Sequence, residues 1–135
     1  MHRNEQGFTL IEVLVVILIV GILAAIALPL FANQRAKAQD ADAKSAVSVA
    51  ATAIEIYHQD HEGFGGAAVA DLETLEPSLK QARNLQVEST ADTFTLSVDS
   101  LSGNGPFTVE RQSDGTTVRG CGNAGNGGCP DSGEW

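Results

Sequence analysis

At 135 residues the chain has room for one small domain, and any apolar segment given to a membrane is subtracted from its soluble core. Its 8 Lys and Arg stand against 17 Asp and Glu, a formal charge of -9 with the acids dispersed along the second half, which argues against direct nucleic-acid binding through clustered cations. The mean hydropathy of zero averages two unlike parts, an apolar run near the N-terminus and a polar, Gly-rich, Ser/Thr-rich remainder.

In chain order, a polar stretch of six residues ends at Gly7, and Phe8 opens the apolar run. From Val13 to Gln34 no residue is charged, and Val13 to Ala32 supplies roughly the 20 residues that a helix needs to cross a bilayer core. A secretory signal peptide is the competing interpretation, with Arg3 in its basic region and Ala24-Ala25-Ile26-Ala27 as a small-residue cleavage region. The run is long for that purpose, and an acid, Glu12, stands at its start. A carboxylate among Phe8, Leu10, Ile11 and Val13 to Val16 needs a partner at membrane depth and is by default a functional-site candidate. Thr9-Leu10-Ile11-Glu12 also fits a capping box, in which Glu12 satisfies amides at the start of the helix.

Gly7-Phe8-Thr9-Leu10-Ile11-Glu12, with its polar leader and the apolar run behind it, resembles the type IV pilin and pseudopilin family. The resemblance implies that a prepilin peptidase cuts after Gly7 and methylates the new N-terminal Phe8, and that Glu12 guides assembly. Cleavage creates a cationic amine at Phe8, and pairing it with Glu12 of a neighbouring subunit removes two unpaired charges from an apolar environment and sets axial register. The implied partners are further copies of the chain, the peptidase, the inner-membrane assembly machinery and, before assembly, the membrane itself. The implied division is a leader at 1–7, a transmembrane and assembly helix at 8–32, its amphipathic continuation at 33–62, and a β-sheet head at 63–135.

Beyond the apolar run, Ala36, Ala43, Val47, Ala50, Ile54 and Tyr57 recur at spacings of three, four and seven, so the helix continues to about His61 with one stripe facing a domain. Pro29 interrupts this helix and Gly21 weakens it; the family resemblance suggests that the segment between them loosens on assembly. Asp40 and Lys44 read as an i,i+4 surface pair, and the glycines after Glu62 as the C-cap. Asp71 to Leu75 suits a short helical turn before Pro77. The period then changes to two: Leu85 and Val87, Phe94, Leu96 and Val98, and Phe107 and Val109 alternate with polar residues, with turns at Gly103-Asn104-Gly105 and Ser113-Asp114-Gly115 and a last strand over Thr116 to Arg119. An α+β fold follows, a long helix packed on a small antiparallel sheet of three or four strands.

Cys121 and Cys129 flank a Gly/Asn loop that closes readily as a disulfide; two free thiols are the alternative, and two ligands fall short of a closed zinc site. A disulfide places this end of the chain in an oxidising compartment, outside the membrane. His58 and His61 read as surface residues rather than metal ligands, no nucleophile or EF-hand pattern occurs, and no cofactor or enzymatic activity is expected. The leading interpretation is a filament subunit serving attachment, motility or DNA uptake. A pseudopilin of a secretion system and a membrane-anchored binding domain that never polymerises are the alternatives.

Overall fold

A computed structural model of the chain describes residues 7–135, so all of the expected leader before Gly7, Arg3 included, lies outside the described part. The chain forms two compact units, one ending at Asn33 and one running from Gln34 to Trp135. Helix α1, Leu10–His61, contributes to both.

In the first unit α1 is apolar on every side. Its large side chains from Leu10 to Phe31 are all at least 45% exposed, a surface that water disfavours and that a bilayer or other apolar partners would cover. Contrary to the sequence expectation, Pro29 does not interrupt the helix, which continues without a break through it. A proline removes one amide donor and crowds the preceding turn, and the remaining hydrogen bonds of a long helix carry it across that defect.

The second unit is an α+β layer. Ala43, Val47, Ala50, Ala53, Ile54 and Tyr57 of α1 are buried at the three- and four-residue spacing of a single helix face. The alanines in this row keep the helix surface low where the sheet lies on it. The sheet is an antiparallel meander in the order β1 (Gln86–Ser89), β2 (Phe94–Val98), β3 (Phe107–Arg111) and β4 (Thr117–Cys121). Its register places Val87 opposite Leu96 and Leu96 opposite Val109, so the period-two apolar residues form one continuous face toward α1. Phe94, Leu96, Val98, Phe107 and Val109 are at most 3% exposed and make the centre of the core. Helix α2 (Val69–Leu75) and a 3-10 turn at Pro77–Gln81 add Leu72 and Leu79 at one side.

The turns fall where polar and glycine residues permit them. Between β3 and β4, Gly115 has φ 87°, and Asp114 accepts hydrogen bonds from the Thr116 amide and hydroxyl at 2.9 and 2.6 Å. The end of α1 differs from expectation: Glu62, not a glycine, takes the left-handed conformation, with φ 55°. The glycines behind it serve another purpose. A Cβ on Gly63 would stand 3.3 Å from the Ala91 carbonyl oxygen, so this segment lies tight against the β1–β2 turn.

Candidate functional site

The N-terminal candidates sit where non-helical backbone becomes α1. Thr9 is the capping residue: its hydroxyl accepts from the Glu12 amide at 3.3 Å, while Glu12 Oε2 accepts from the Thr9 amide at 2.8 Å and the Thr9 hydroxyl at 3.0 Å. The capping box is therefore formed, with both partners satisfying amides that a helix start leaves open. Only one carboxylate oxygen is engaged; among the described residues Glu12 Oε1 has no hydrogen-bond partner. Phe8 is 89% exposed, and with Ile11, Glu12, Val15 and Val16 it lines an open apolar hollow. Around Gly7, no described atom lies within 4 Å of the place a Cβ would take. The fold itself thus makes no demand for glycine at this position.

In the second unit Cys121 and Cys129 are joined, with their Cα atoms 5.8 Å apart. The bond closes a loop that folds back on itself through Gly125 N–H to the Cys129 carbonyl at 3.0 Å and Cys129 N–H to the Asn126 carbonyl at 2.9 Å. Behind it the chain runs along β4: Cys121 N–H donates to the Gly133 carbonyl, and Trp135 Nε1 donates to the Gly120 carbonyl at 2.8 Å. The Trp135 ring meets Phe107 edge-on and carries the Arg119 guanidinium at 5.0 Å and the Lys44 ammonium at 5.6 Å from its centre. The tail thereby covers part of an otherwise open sheet edge.

One group of polar residues was not singled out from the sequence. Asp40 is fully buried and does not pair with Lys44, which instead faces the Phe107 and Trp135 rings. Asp40 Oδ1 accepts from the Ser100 hydroxyl at 2.6 Å and from the Ser102 hydroxyl; Oδ2 accepts from Asn104 Nδ2 at 3.1 Å and from the Gly128 amide at 2.7 Å. Asn123 Nδ2 donates in turn to Asn104 Oδ1 at 3.2 Å, so the disulfide loop touches the cluster twice. Burial, the largest single influence, pushes the Asp40 pKa up, but the hydrogen bonds from Ser100, Ser102, Gly128 and Asn104 together outweigh it and hold the carboxyl below its ordinary value. The signal was present in the spacing. The seven-residue step from Ala36 to Ala43 leaves position 40 on the inward face, where only a satisfied polar group can stand.

His58 and His61, read as surface histidines, both join aromatic stacks: His61 lies 3.9 Å from the Tyr57 ring and half-buried His58 lies 4.5 Å from Phe64. A half-buried ion pair joins the Arg111 guanidinium to Glu55 at 3.0 Å, tying β3 to α1.

Comparison with known proteins agrees with these features. Residues 2–28 match the prokaryotic N-terminal methylation motif. The chain is 34% identical over 100 residues to the type IV major pilin protein PilE of Neisseria gonorrhoeae, covering 71% of this chain and 59% of that protein. It is 41% identical over 66 residues to a fimbrial protein of Neisseria meningitidis, covering 49% and 39%. The chain thus spans between about two fifths and three fifths of the length of these relatives. With the type IV wide pilus major component PilA4 of Thermus thermophilus it shares 32% identity over 114 residues, covering 84% of this chain and 79% of that protein. A relative matched over most of both chains, the N-terminal motif and a long apolar helix followed by a helix-packed four-stranded sheet together establish that this chain belongs to the type IV pilin family.

Proposed function

We propose that the chain is a structural, non-catalytic subunit of a type IV pilus-like filament that serves attachment, motility or DNA uptake. The observation that carries this reading is the helix surface from Leu10 to Phe31, apolar all round and bearing a single carboxylate, Glu12. Such a surface suits a membrane-anchored precursor and then an extracellular filament in which copies of the same helix cover one another.

In this reading residues 1–7 are removed by a prepilin peptidase after Gly7, and Phe8 becomes a methylated, cationic N-terminus. Residues 8–32 anchor the subunit and then assemble, 33–62 continue the helix against the head, and 63–135 form the head. The inner-membrane assembly machinery moves the subunit from bilayer to filament. Glu12 supports both states. Its Oε2 closes the capping box with Thr9, and Oε1 is left to receive the Phe8 amine of an incoming copy.

Glu12→Gln separates these roles. Glutamine retains a carbonyl oxygen for the Thr9 donors, so the cap survives, but it cannot neutralise an amine. The expected result is normal processing and membrane insertion, with filament yield in the sheared extracellular fraction reduced at least tenfold. Normal filament yield from Glu12→Gln alone would remove the charge-pairing mechanism.

A further inference from the structure

The Asp40 cluster joins three parts of the chain that are held in place by different means. A carboxylate on the helix is caged by two separate segments, the β2–β3 connection, which supplies Ser100, Ser102 and Asn104, and the disulfide loop, which supplies the Gly128 amide. The first segment is anchored by the strands on either side of it. The second is Gly/Asn-rich, and its closure rests on the Cys121–Cys129 bond together with a few turn hydrogen bonds. Contact with the helix is close: a Cβ on Gly128 would stand 2.7 Å from Asp40 Cβ, so only glycine lets the loop backbone reach the carboxylate. No ion pair compensates Asp40 among the described residues. Of the charged groups nearby, Lys44 faces the rings of Phe107 and Trp135, and Asp99 accepts from Asn84. Lys37, Asp42 and Asp131 are exposed. The charge is held by hydrogen bonds alone.

We infer that Asp40 is an oxidation-dependent latch, whose cage is complete only when the Cys121–Cys129 bond holds the Gly128 amide against it. With the bond reduced, the loop is released, the Gly128 donor is withdrawn and Asn123 no longer orients Asn104. The carboxylate then stays covered by the β2–β3 connection with fewer donors, and the start of the head portion of α1 is loosened. The coupling runs in both directions, because a contact that depends on the disulfide must also favour the disulfide. Oxidation of the two thiols thus registers at the helix, and a subunit that has not formed its bond is distinguishable from one that has.

The test uses the full chain in detergent micelles, equilibrated with mixtures of reduced and oxidised dithiothreitol. A reagent thiolate attacks one cysteine sulfur, and its second thiol resolves the mixed disulfide. The protein gains two electrons and two protons, and the reagent leaves as its cyclic disulfide. The quantity read is the equilibrium constant for reduction, from alkylation of the freed thiols. In Asp40→Asn the charge is lost and one acceptor oxygen becomes a donor, so the Gly128 N–H either loses its acceptor or keeps only a neutral, weaker one, whichever way the amide turns. Asp40→Asn is expected to make reduction about tenfold more favourable, within the range of coupling between contacting groups. Leu72→Ala, a fully buried site on α2, is the control for general destabilisation and is expected to leave the constant within about twofold. The inference is overturned if Asp40→Asn leaves the constant unchanged. It is equally overturned if Leu72→Ala raises it as much, since both would then report only unfolding of the reduced chain.

Discussion

Replacing Asp40 by alanine isolates the contribution of the buried carboxylate to the head. The substitution removes the acceptor for four donors, the hydroxyls of Ser100 and Ser102, the Asn104 amide and the Gly128 N–H. Hydrogen bonds to a charged group contribute about 1.5–3 kcal/mol each. These four do not add in full, because the two serine hydroxyls already lie 3.0 Å apart and can bond one another, and water can enter the space left behind. The Asn104 Nδ2 and Gly128 N–H donors have no other protein acceptor among the described residues, and the loss of their charged acceptor sets the expected cost at about 3–5 kcal/mol. Urea unfolding of the full chain in detergent, followed by Trp135 fluorescence, measures this cost. Trp135 is a suitable probe because its ring sits on Phe107 between Lys44 and Arg119. Asp42→Ala, two residues along and exposed, is expected to change stability by less than about 0.5 kcal/mol. The pH dependence has a definite sign. Because the Asp40 pKa is lowered in the folded chain, its contribution is fully present above the unfolded-state value and is lost only as pH falls through the lower folded-state value. The gap between the wild-type chain and Asp40→Ala should persist through neutral and mildly acid solution and narrow only below the ordinary aspartate range. A cost under about 1 kcal/mol at pH 7, or a gap that closes between pH 7 and 5, refutes the satisfied-carboxylate account.

Gly7→Val is expected to leave a membrane-bound precursor of full mass; since the fold leaves open space around Gly7, mature mass in this variant would place no glycine requirement on the peptidase. Leu96→Ala, at the centre of the sheet and fully buried, is expected to cost about 2–5 kcal/mol in the same urea titration with an unchanged slope; a smaller loss would mean that the core collapses around the gap.

Much of this protein is local in character and therefore legible in its residues. The apolar segment needs only composition and length, the capping box only two residues three apart, and the strands only alternation, as Phe94, Leu96 and Val98 display. The family resemblance lay in six consecutive residues, Gly7 to Glu12. Tertiary structure decided what depends on chain segments far apart. Asp40 and Lys44 match the spacing of a surface ion pair, yet Asp40 turns toward donors 60 to 88 positions away and Lys44 toward the ring of Trp135. The C-terminal end of α1 was fixed by close packing against the β1–β2 turn, which keeps glycine at position 63 and leaves Glu62 to take the left-handed turn. Periodicity reports which face of an element is inward, but whether an inward polar residue is an error or a keystone depends on hydrogen-bond donors that only the folded chain brings to it.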